Sequence, residues 1–426
     1  MKIDADRALL VHPEFKSSKS SNVISFEEAI ALSKSLGLSI ITKERVKISS
    51  PKAGYLFGSG AIKKILDKIN NLKIKLIVIN GYISPIQQRN LEKIWNVKLI
   101  DRTHLILEIF ADRAVTREGK LQVELASLSY QRTRLVRSWT HLERQRGALG
   151  FIGGPGETQI ESDRRAIDKA IIRLKKQLEK VIKTRFLHRK SRKKVPYPTI
   201  AFIGYTNAGK STLFNLITNS NVYAKDQLFA TLDPTMRLLE LPSKSKVIIS
   251  DTVGFISDLP TELIAAFRAT LEEVLDADLV IHIRDVSHKN TEQQKLDVLK
   301  IVSELGIDKT KIENMLEVAN KIDLLSEEQL QKLENITKRS KNIFPVSSKD
   351  MIGVDKLIDG IDLILSENFI SETLRFGFDK TSYRAKLYDI SIVESEKLHE
   401  DGYEISVRWS EKRRGEFFHY INSSEI

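Results

Sequence analysis

Residues 204–211 read GYTNAGKS, which matches the phosphate-binding pattern G-x-x-x-x-G-K-[ST]. Gly204, Tyr205, Thr206, Asn207, Ala208, Gly209, Lys210 and Ser211 stand where such a loop must stand. A strand-like run, Thr199 to Ile203, precedes them, and a helical run beginning at Thr212 follows. Glycines at 204 and 209 let the backbone turn its N–H groups inward around an anion, and the helix N-terminus adds the positive end of its dipole. The Lys210 ammonium can reach the β- and γ-phosphates, and the Ser211 hydroxyl can ligate Mg²⁺. The loop implies a nucleoside triphosphate without saying which one.

The base is read further along. Asn320, Lys321, Ile322 and Asp323 follow a short apolar strand, where an open α/β sheet presents its ligand-binding groups. A carboxylate at Asp323 accepts from guanine N1–H and from the exocyclic amine. Adenine lacks that pair of donors and would leave the charge unpaired. Asn320 can serve the O6/N7 edge, and the Lys321 stem can lie along the ring. Ser347, Ser348 and Lys349 follow another strand and fit a loop whose backbone N–H groups meet guanine O6.

Between these segments, Asp251, Thr252, Val253 and Gly254 end a buried-strand pattern. Asp251 suits the carboxylate on the Mg²⁺ side, one hydration layer out, and the Gly254 N–H suits the γ-phosphate. Phe229, Ala230, Thr231, Leu232 and Asp233 lie in a loop after the first helix. There Thr231 is the candidate to close on Mg²⁺ in the triphosphate state. With Lys210 it assists the chemistry, and no side-chain base is identified. The residue after Gly254 is Phe255, where many switch GTPases place a glutamine to orient the attacking water. Hydrolysis is therefore expected to be slow unless another group or a partner positions that water. Two readings of Asn207 stand side by side: a ligand holding K⁺ against the phosphates, or an asparagine suited to turn geometry.

These boxes need elements to carry them. The chain has 426 residues, 41% of them hydrophobic, and no cysteine, which excludes disulfides and thiolate metal sites. No apolar run approaches the roughly 20 residues that cross a bilayer, and the first residues do not read as a signal peptide. A cytoplasmic protein, peripheral to a membrane at most, is expected. Residues 1–110 alternate strand and helix as a small parallel α/β domain, with Ser25 capping a helix from Phe26 to Leu36 and Ser84 capping one from Pro85 to Trp95. Gly58-Ser59-Gly60 ahead of a helix reads as a tight turn or, less simply, as an anion cradle. Residues 197–370 hold the nucleotide boxes. The tail, 371–426, reads as a small α+β unit with strands at Thr373–Phe378, Ile390–Glu394 and Glu404–Trp409.

The formal net charge is +12, and residues 111–195 alone carry 22 Lys+Arg against 9 Asp+Glu, so the rest of the chain is almost neutral. Charge so concentrated points to a polyanion, and here to RNA. Leu121, Leu125, Leu128 and Leu135, then Ile167, Ile171, Leu174, Leu178 and Val181, recur at heptad-like spacing. They predict two long helices in an antiparallel hairpin over 111–196. Residues 147–156 between them include five glycines, with apolar Leu149, Phe151 and Ile152. Arg132, Arg134, Arg137, Arg144 and Arg146 flank that loop on one side, Arg164 and Arg165 on the other. One reading is a solvated hairpin. The sharper one is a tip that enters structured RNA, with Arg144, Arg146, Arg164 and Arg165 on phosphates and Phe151 stacked on a base.

By its segments 84–92 (SPIQQRNLE), 101–103 (DRT), 117–126 (REGKLQVELA), 154–159 (GPGETQ), 163–165 (DRR), 229–233 (FATLD) and 251–255 (DTVGF), the chain resembles the HflX family of ribosome-associated GTPases. The resemblance implies an N-terminal parallel α/β domain with a long antiparallel helical hairpin, a Ras-like P-loop GTPase domain and a small α+β C-terminal domain. It implies GTP hydrolysis with Mg²⁺, coupled to binding the large ribosomal subunit and its RNA, in splitting, rescue or recycling of ribosomes. Phe255 matches the hydrophobic residue the family carries after its D-x-x-G glycine, and Asn207 matches the loop asparagine that supports K⁺ in related GTPases. The tip at 148–153 has less arginine and glycine than the family pattern, and the tail is shortened. A monomer is expected. Alternatives are an RNA-binding switch with negligible turnover, a factor for ribosome-subunit maturation, and a remodeller with a second nucleotide site at Gly58-Ser59-Gly60.

Overall fold

The structure is a computed structural model and describes residues 7–15, 21–145, 155–192, 197–220, 228–229, 231, 234–257, 273–367 and 369–424. Near the N-terminus, β1 (Ala8–Phe15), β2 (Ile40–Ile48), β3 (Leu76–Ile79) and β4 (Lys98–Asp101) form a parallel sheet in the order β2-β1-β3-β4. A parallel sheet needs both faces covered. Alternate residues of β1 accordingly face two cores. Ala8 and Leu10 pack toward α1 (Ser21–Ser35) and α4 (Arg102–Arg113), while Leu9 and Val11 pack toward α2 (Ser59–Leu72) and α3 (Pro85–Trp95). Helix α3 starts at the expected cap: Ser84 Oγ accepts from Gln87 N–H, the Gln87 side chain returns the bond, and Pro85 takes the first helical position.

One boundary in this unit differs from expectation. Helix α1 begins at Ser21 rather than after Ser25, one turn earlier than the cap signal placed it. Strand β1 runs on through Pro13. Val11 turns its carbonyl to the β3 side, where it accepts from Asn80 N–H, so Pro13 presents its missing N–H on that same side, beyond the end of β3.

The expected pair of long helices is α5 (Arg117–Gln145) and α6 (Pro155–Arg192). The buried face of α5 is set by Leu121, Val123, Ala126 and Tyr130, because α5 packs on α3 and α4 as well as on α6. The heptad leucines Leu125 and Leu128 are only half-buried. On α6, Ile171 and Leu174 are buried as the spacing predicts.

The third unit is a six-stranded sheet in the order β10-β9-β8-β5-β7-β6. Its strands are β5 (Thr199–Gly204), β6 (Thr235–Glu240), β7 (Lys246–Asp251), β8 (Leu279–Asp285), β9 (Leu316–Asn320) and β10 (Ile343–Val346), parallel except for β6. One face packs on α7 (Lys210–Thr218) and α11 (Val354–Glu367). The other face meets α8 (Thr291–Glu304) in a core that continues without a break into the N-terminal unit. The short α9 (Lys309–Glu313) and α10 (Glu327–Thr337) complete the set. In the tail, β11 (Phe369–Gly377), β12 (Ile392–His399) and β13 (Gly402–Ser410) form an antiparallel sheet under α12 (Thr381–Ile390) and α13 (Glu411–Ser424). The expected boundary at 371 therefore falls inside β11, and Ile390 ends a helix rather than starting a strand. Among the described residues no helix is long and apolar enough to cross a membrane.

One buried group on β8 gives the fold a pH signature. His282 is 2% exposed, and burial, with help from Arg284, Lys295 and Lys210, pulls its pKa down to about 3. An unfolded histidine titrates near 6.5, so the unfolded chain binds the extra proton first. The contribution of a neutral His282 is fully present above about pH 6.5 and is lost as the pH falls toward about 3. His282→Gln should therefore flatten the loss of stability across that window by about one proton. Denaturant midpoints at several pH values measure it, and an unchanged slope would refute it.

Candidate functional site

Three loops at the carboxyl ends of β5, β7 and β9 converge on one place, with a fourth after β10 beside them. The loop after β5 wraps the start of α7. Gly204 has φ +150° and Gly209 φ +91°, conformations that L side chains rarely adopt. A Cβ at Gly209 would also lie 2.2 Å from the Asn320 side chain, so the loop closes tightly on the neighbouring strand end. Lys210 is 6% exposed, and its Nζ donates to the carbonyls of Gly204 (3.2 Å) and Tyr205 (2.9 Å). Burial lowers its pKa to about 8, with Asp251 opposing the shift. A desolvated ammonium with only carbonyl partners is well placed to take a phosphate oxygen. Asn207 is exposed at φ +60°, a left-handed conformation asparagine tolerates better than most residues, and its side chain stands at the mouth of the loop.

Ser211, Thr231 and Asp251 meet at the head of α7. Ser211 Oγ donates to Asp251 Oδ2 at 2.6 Å and lies 2.7 Å from Thr231 Oγ1, which itself donates to Asp251 at 3.0 Å. Asp251 is fully buried, and among the described residues its Oδ1 has no hydrogen-bond partner. Burial raises its pKa against the pull of Lys210, Ser211 and Thr231. Two hydroxyls and a buried carboxylate with an orphaned oxygen form an all-oxygen set that suits a hard divalent cation such as Mg²⁺. Thr252 is tied to the Phe202 carbonyl at 2.5 Å, and Val253 is buried. Gly254 leaves no room for a side chain: a Cβ there would come within 2.8 Å of Thr206 and 2.9 Å of Lys210 Nζ.

Phe255 is 3% exposed, and its backbone pairs with the phosphate loop, N–H to Gly204 O (3.1 Å) and carbonyl from Thr206 N–H (2.7 Å). It belongs to the core and brings no polar atom to the site. Phe229 is buried and packs edge-on against Phe110, with ring centroids 4.5 Å apart. Ala230, Leu232 and Asp233 lie outside the described residues.

The base-side loops are cross-linked by their own side chains. Asn320 is 1% exposed and spends its side chain inside the protein: its amide donates to Ala208 O at 2.8 Å, and its carbonyl accepts from Ser348 N–H (3.1 Å) and Oγ (2.8 Å). It ties the phosphate loop to the loop after β10, and its amide keeps a second N–H beyond the one given to Ala208. Ser347 has a role that sequence reasoning missed. Its Oγ donates to Asp323 Oδ1 at 2.7 Å and so fixes the carboxylate's rotation. Only the non-local pairing of β9 and β10 brings these residues together. Lys321 stands at φ +65° with its ammonium 2.8 Å from Asp285, which holds the stem along the mouth of the site. Ile322 starts a single turn of 3₁₀ helix, and Lys349 is exposed.

The hairpin arginines divide into two groups. Arg134 is turned inward, donating to Asp101 (3.1 Å), Tyr130 (2.5 Å) and the Ile83 carbonyl (3.3 Å). Arg132 bridges to Asp168 on α6 at 2.6 Å. Arg134 thus anchors α5 to the N-terminal unit, while Arg132, still half-exposed, joins the two helices of the hairpin. Arg164 and Arg165 are exposed along α6, the first 4.0 Å from Asp168 and the second 2.8 Å from Glu161. Arg146 and Phe151, with most of the expected tip at 147–156, lie outside the described residues, as do the side chains of Arg137 and Arg144.

Comparison with known proteins places these features in a family. Residues 24–111 match a family described as GTP-binding GTPase N-terminal, residues 113–192 one described as GTP-binding GTPase Middle Region, and residues 199–321 one described as 50S ribosome-binding GTPase. The chain is 47% identical over 364 residues to GTPase HflX of Magnetococcus marinus, covering 85% of this chain and 81% of that one. It is 40% identical over 398 residues to GTPase HflX of Escherichia coli, covering 93% and 92%. It is 39% identical over 405 residues to GTPase HflX of Caldanaerobacter subterraneus, covering 95% and 91%.

Proposed function

This chain belongs to the HflX family of GTPases, and we propose that it uses GTP binding and hydrolysis to control a grip on the large ribosomal subunit, in splitting, rescue or recycling of ribosomes. The observation that carries the ribosome reading is the confinement of the chain's net positive charge to 111–195, a hairpin that adjoins the nucleotide unit. The family described as 50S ribosome-binding GTPase, matched over 199–321, supports the choice of subunit.

In this reading, the backbone N–H groups of residues 206–211 and the Lys210 ammonium hold the phosphates, while Asp323, rotated into place by Ser347, selects guanine. Ser211 and Thr231 would hold Mg²⁺, with Asp251 behind them, and the ion would supply charge neutralisation to the phosphates. The Gly254 N–H senses the γ-phosphate. Asn207 can supply an oxygen to K⁺ at the mouth of the loop. With Phe255 in the core, its side chain cannot orient the attacking water, so turnover should depend on the partner. Hydrolysis measured with purified large and small subunits tests this. A rise with large subunits alone is expected, and no rise at any concentration would overturn it.

The hairpin makes its own prediction. Lys169, Arg173, Lys176 and Lys180 are exposed at successive turns of α6. Replacing all four with glutamine should weaken binding to large subunits. It should also make the dependence of log affinity on log salt shallower by roughly 0.7 to 0.9 for each phosphate that is no longer neutralised. An unchanged slope would mean that this face does not meet RNA.

A further inference from the structure

Two consecutive residues at the start of α4 join the phosphate loop to the root of the hairpin. Arg102 is 6% exposed. Its Nη2 donates to Glu28 on α1 (2.9 Å) and to the carbonyl and hydroxyl of Ser257 (3.0 and 3.2 Å), and its Nη1 donates to Asn80 (2.9 Å). Glu28 is buried as well and accepts from the Tyr205 hydroxyl at 2.9 Å and from Ser257 Oγ. The Ser257 N–H closes the ring by donating to Tyr205 Oη at 2.5 Å. Tyr205 is the second residue of the phosphate loop, and Ser257 stands two residues after Phe255.

Asp101, the other member of the pair, is 1% exposed. Its Oδ1 accepts from the His104 N–H that begins α4 (2.9 Å) and from the Tyr130 hydroxyl (2.7 Å), and its Oδ2 accepts from Arg134 (3.1 Å). Tyr130 and Arg134 are one turn apart on α5, at the root of the hairpin.

Adhesion does not require this arrangement. The same interface already buries Phe110 against Phe229, with Ile106, Tyr205, Phe255 and Ile256 in one apolar core. A buried ion pair adds little net stability over apolar packing, but it fixes one geometry, because any displacement strands a charge. Here the geometry fixed is that of the segment that must respond to the γ-phosphate.

We propose that Glu28 and Arg102 are positioning residues that hold residues 255–257 in register with the phosphate loop, and that Asp101 passes the resulting displacement of α4 to the hairpin root. The nucleotide state is thereby felt at Tyr130 and Arg134. The proposal needs only the GTPase activity and is independent of ribosome binding.

Amide exchange of residues 117–134 in the full chain tests it, comparing GDP with a non-hydrolysable GTP analogue in the absence of ribosomes. The wild-type protein should show a nucleotide-dependent difference there. Glu28→Gln keeps the size of the side chain but removes the charge that Arg102 needs, and should abolish the difference, with kcat falling while KM for GTP holds. Arg102→Lys, which keeps the charge but loses the fork, should restore part of it relative to Arg102→Gln. Thermal melts identify any variant that fails to fold, and Ser257→Ala, at the half-buried rim of the network, then carries the same comparison. No difference in the wild type, or a full difference in a folded Glu28→Gln protein, would overturn the proposal.

Discussion

Asp323→Asn should lower affinity for GTP by about a thousandfold and raise affinity for xanthosine triphosphate in its place. The carboxylate can accept two hydrogen bonds from guanine, at N1–H and at the exocyclic amine. An amide turns one of those acceptors into a donor, which then faces the amine donor to donor. Xanthine carries a carbonyl at that ring position, so the same amide donates to it while its oxygen still accepts from N1–H. Ser347 decides which way the amide points. Its hydroxyl donates to Asp323 Oδ1 at 2.7 Å, and in the variant it would hold the amide oxygen there. Ser347→Ala in the Asp323→Asn background should therefore weaken the exchange of preference by freeing the amide to rotate. Competition binding with the two triphosphates measures both effects. Retention of full GTP affinity in Asp323→Asn would mean that this residue does not read the base.

Lys210→Ala should lower GTP turnover by at least about a hundredfold, with the loss in kcat exceeding the loss in affinity. The ammonium is buried against the carbonyls of Gly204 and Tyr205, and burial has already pulled its pKa to about 8. A phosphate oxygen gives it an anionic hydrogen-bond partner, so the interaction strengthens as charge gathers on the transferring group. Lys210→Arg should not restore turnover, because the wider guanidinium meets the backbone of Gly254, whose Cα hydrogen already faces Lys210 Nζ in a space too small for a methyl group. Single-turnover hydrolysis, with nucleotide affinity measured separately, distinguishes this from a plain loss of binding. A variant with weakened affinity and unchanged kcat would show that Lys210 binds the ground state only.

The nucleotide site was legible in the sequence because its chemistry is local. Glycines 204 and 209, Lys210 and Ser211 follow one another, and each box sits at the end of a strand whose apolar run is plain to read. What the sequence hid is non-local. Asn320 reads as a base-side group in a linear pattern, and its ties to the phosphate loop and to the loop after β10 come into view only once β9 lies beside β10 and β8. Ser347 becomes the orienting partner of Asp323 only through that same pairing. Among the hairpin arginines, Arg134 reads like its neighbours, yet it faces inward because Asp101 is buried beneath it. The face that α5 buries departs from its leucine spacing for a related reason: three helices compete for it, and a heptad describes only one partner. Glu28, Arg102 and Ser257 carry no motif, and nothing short of the folded chain brings residues 28, 102 and 257 together.

The proposed function rests on a grip that changes with the nucleotide. Sedimentation of the purified protein with separated large subunits, small subunits and intact ribosomes, in GDP and in a non-hydrolysable GTP analogue, tests that claim most directly. The predicted result is co-sedimentation with large subunits that is strong with the analogue and weak with GDP. Equal binding in both nucleotides, or binding to small subunits alone, would contradict it.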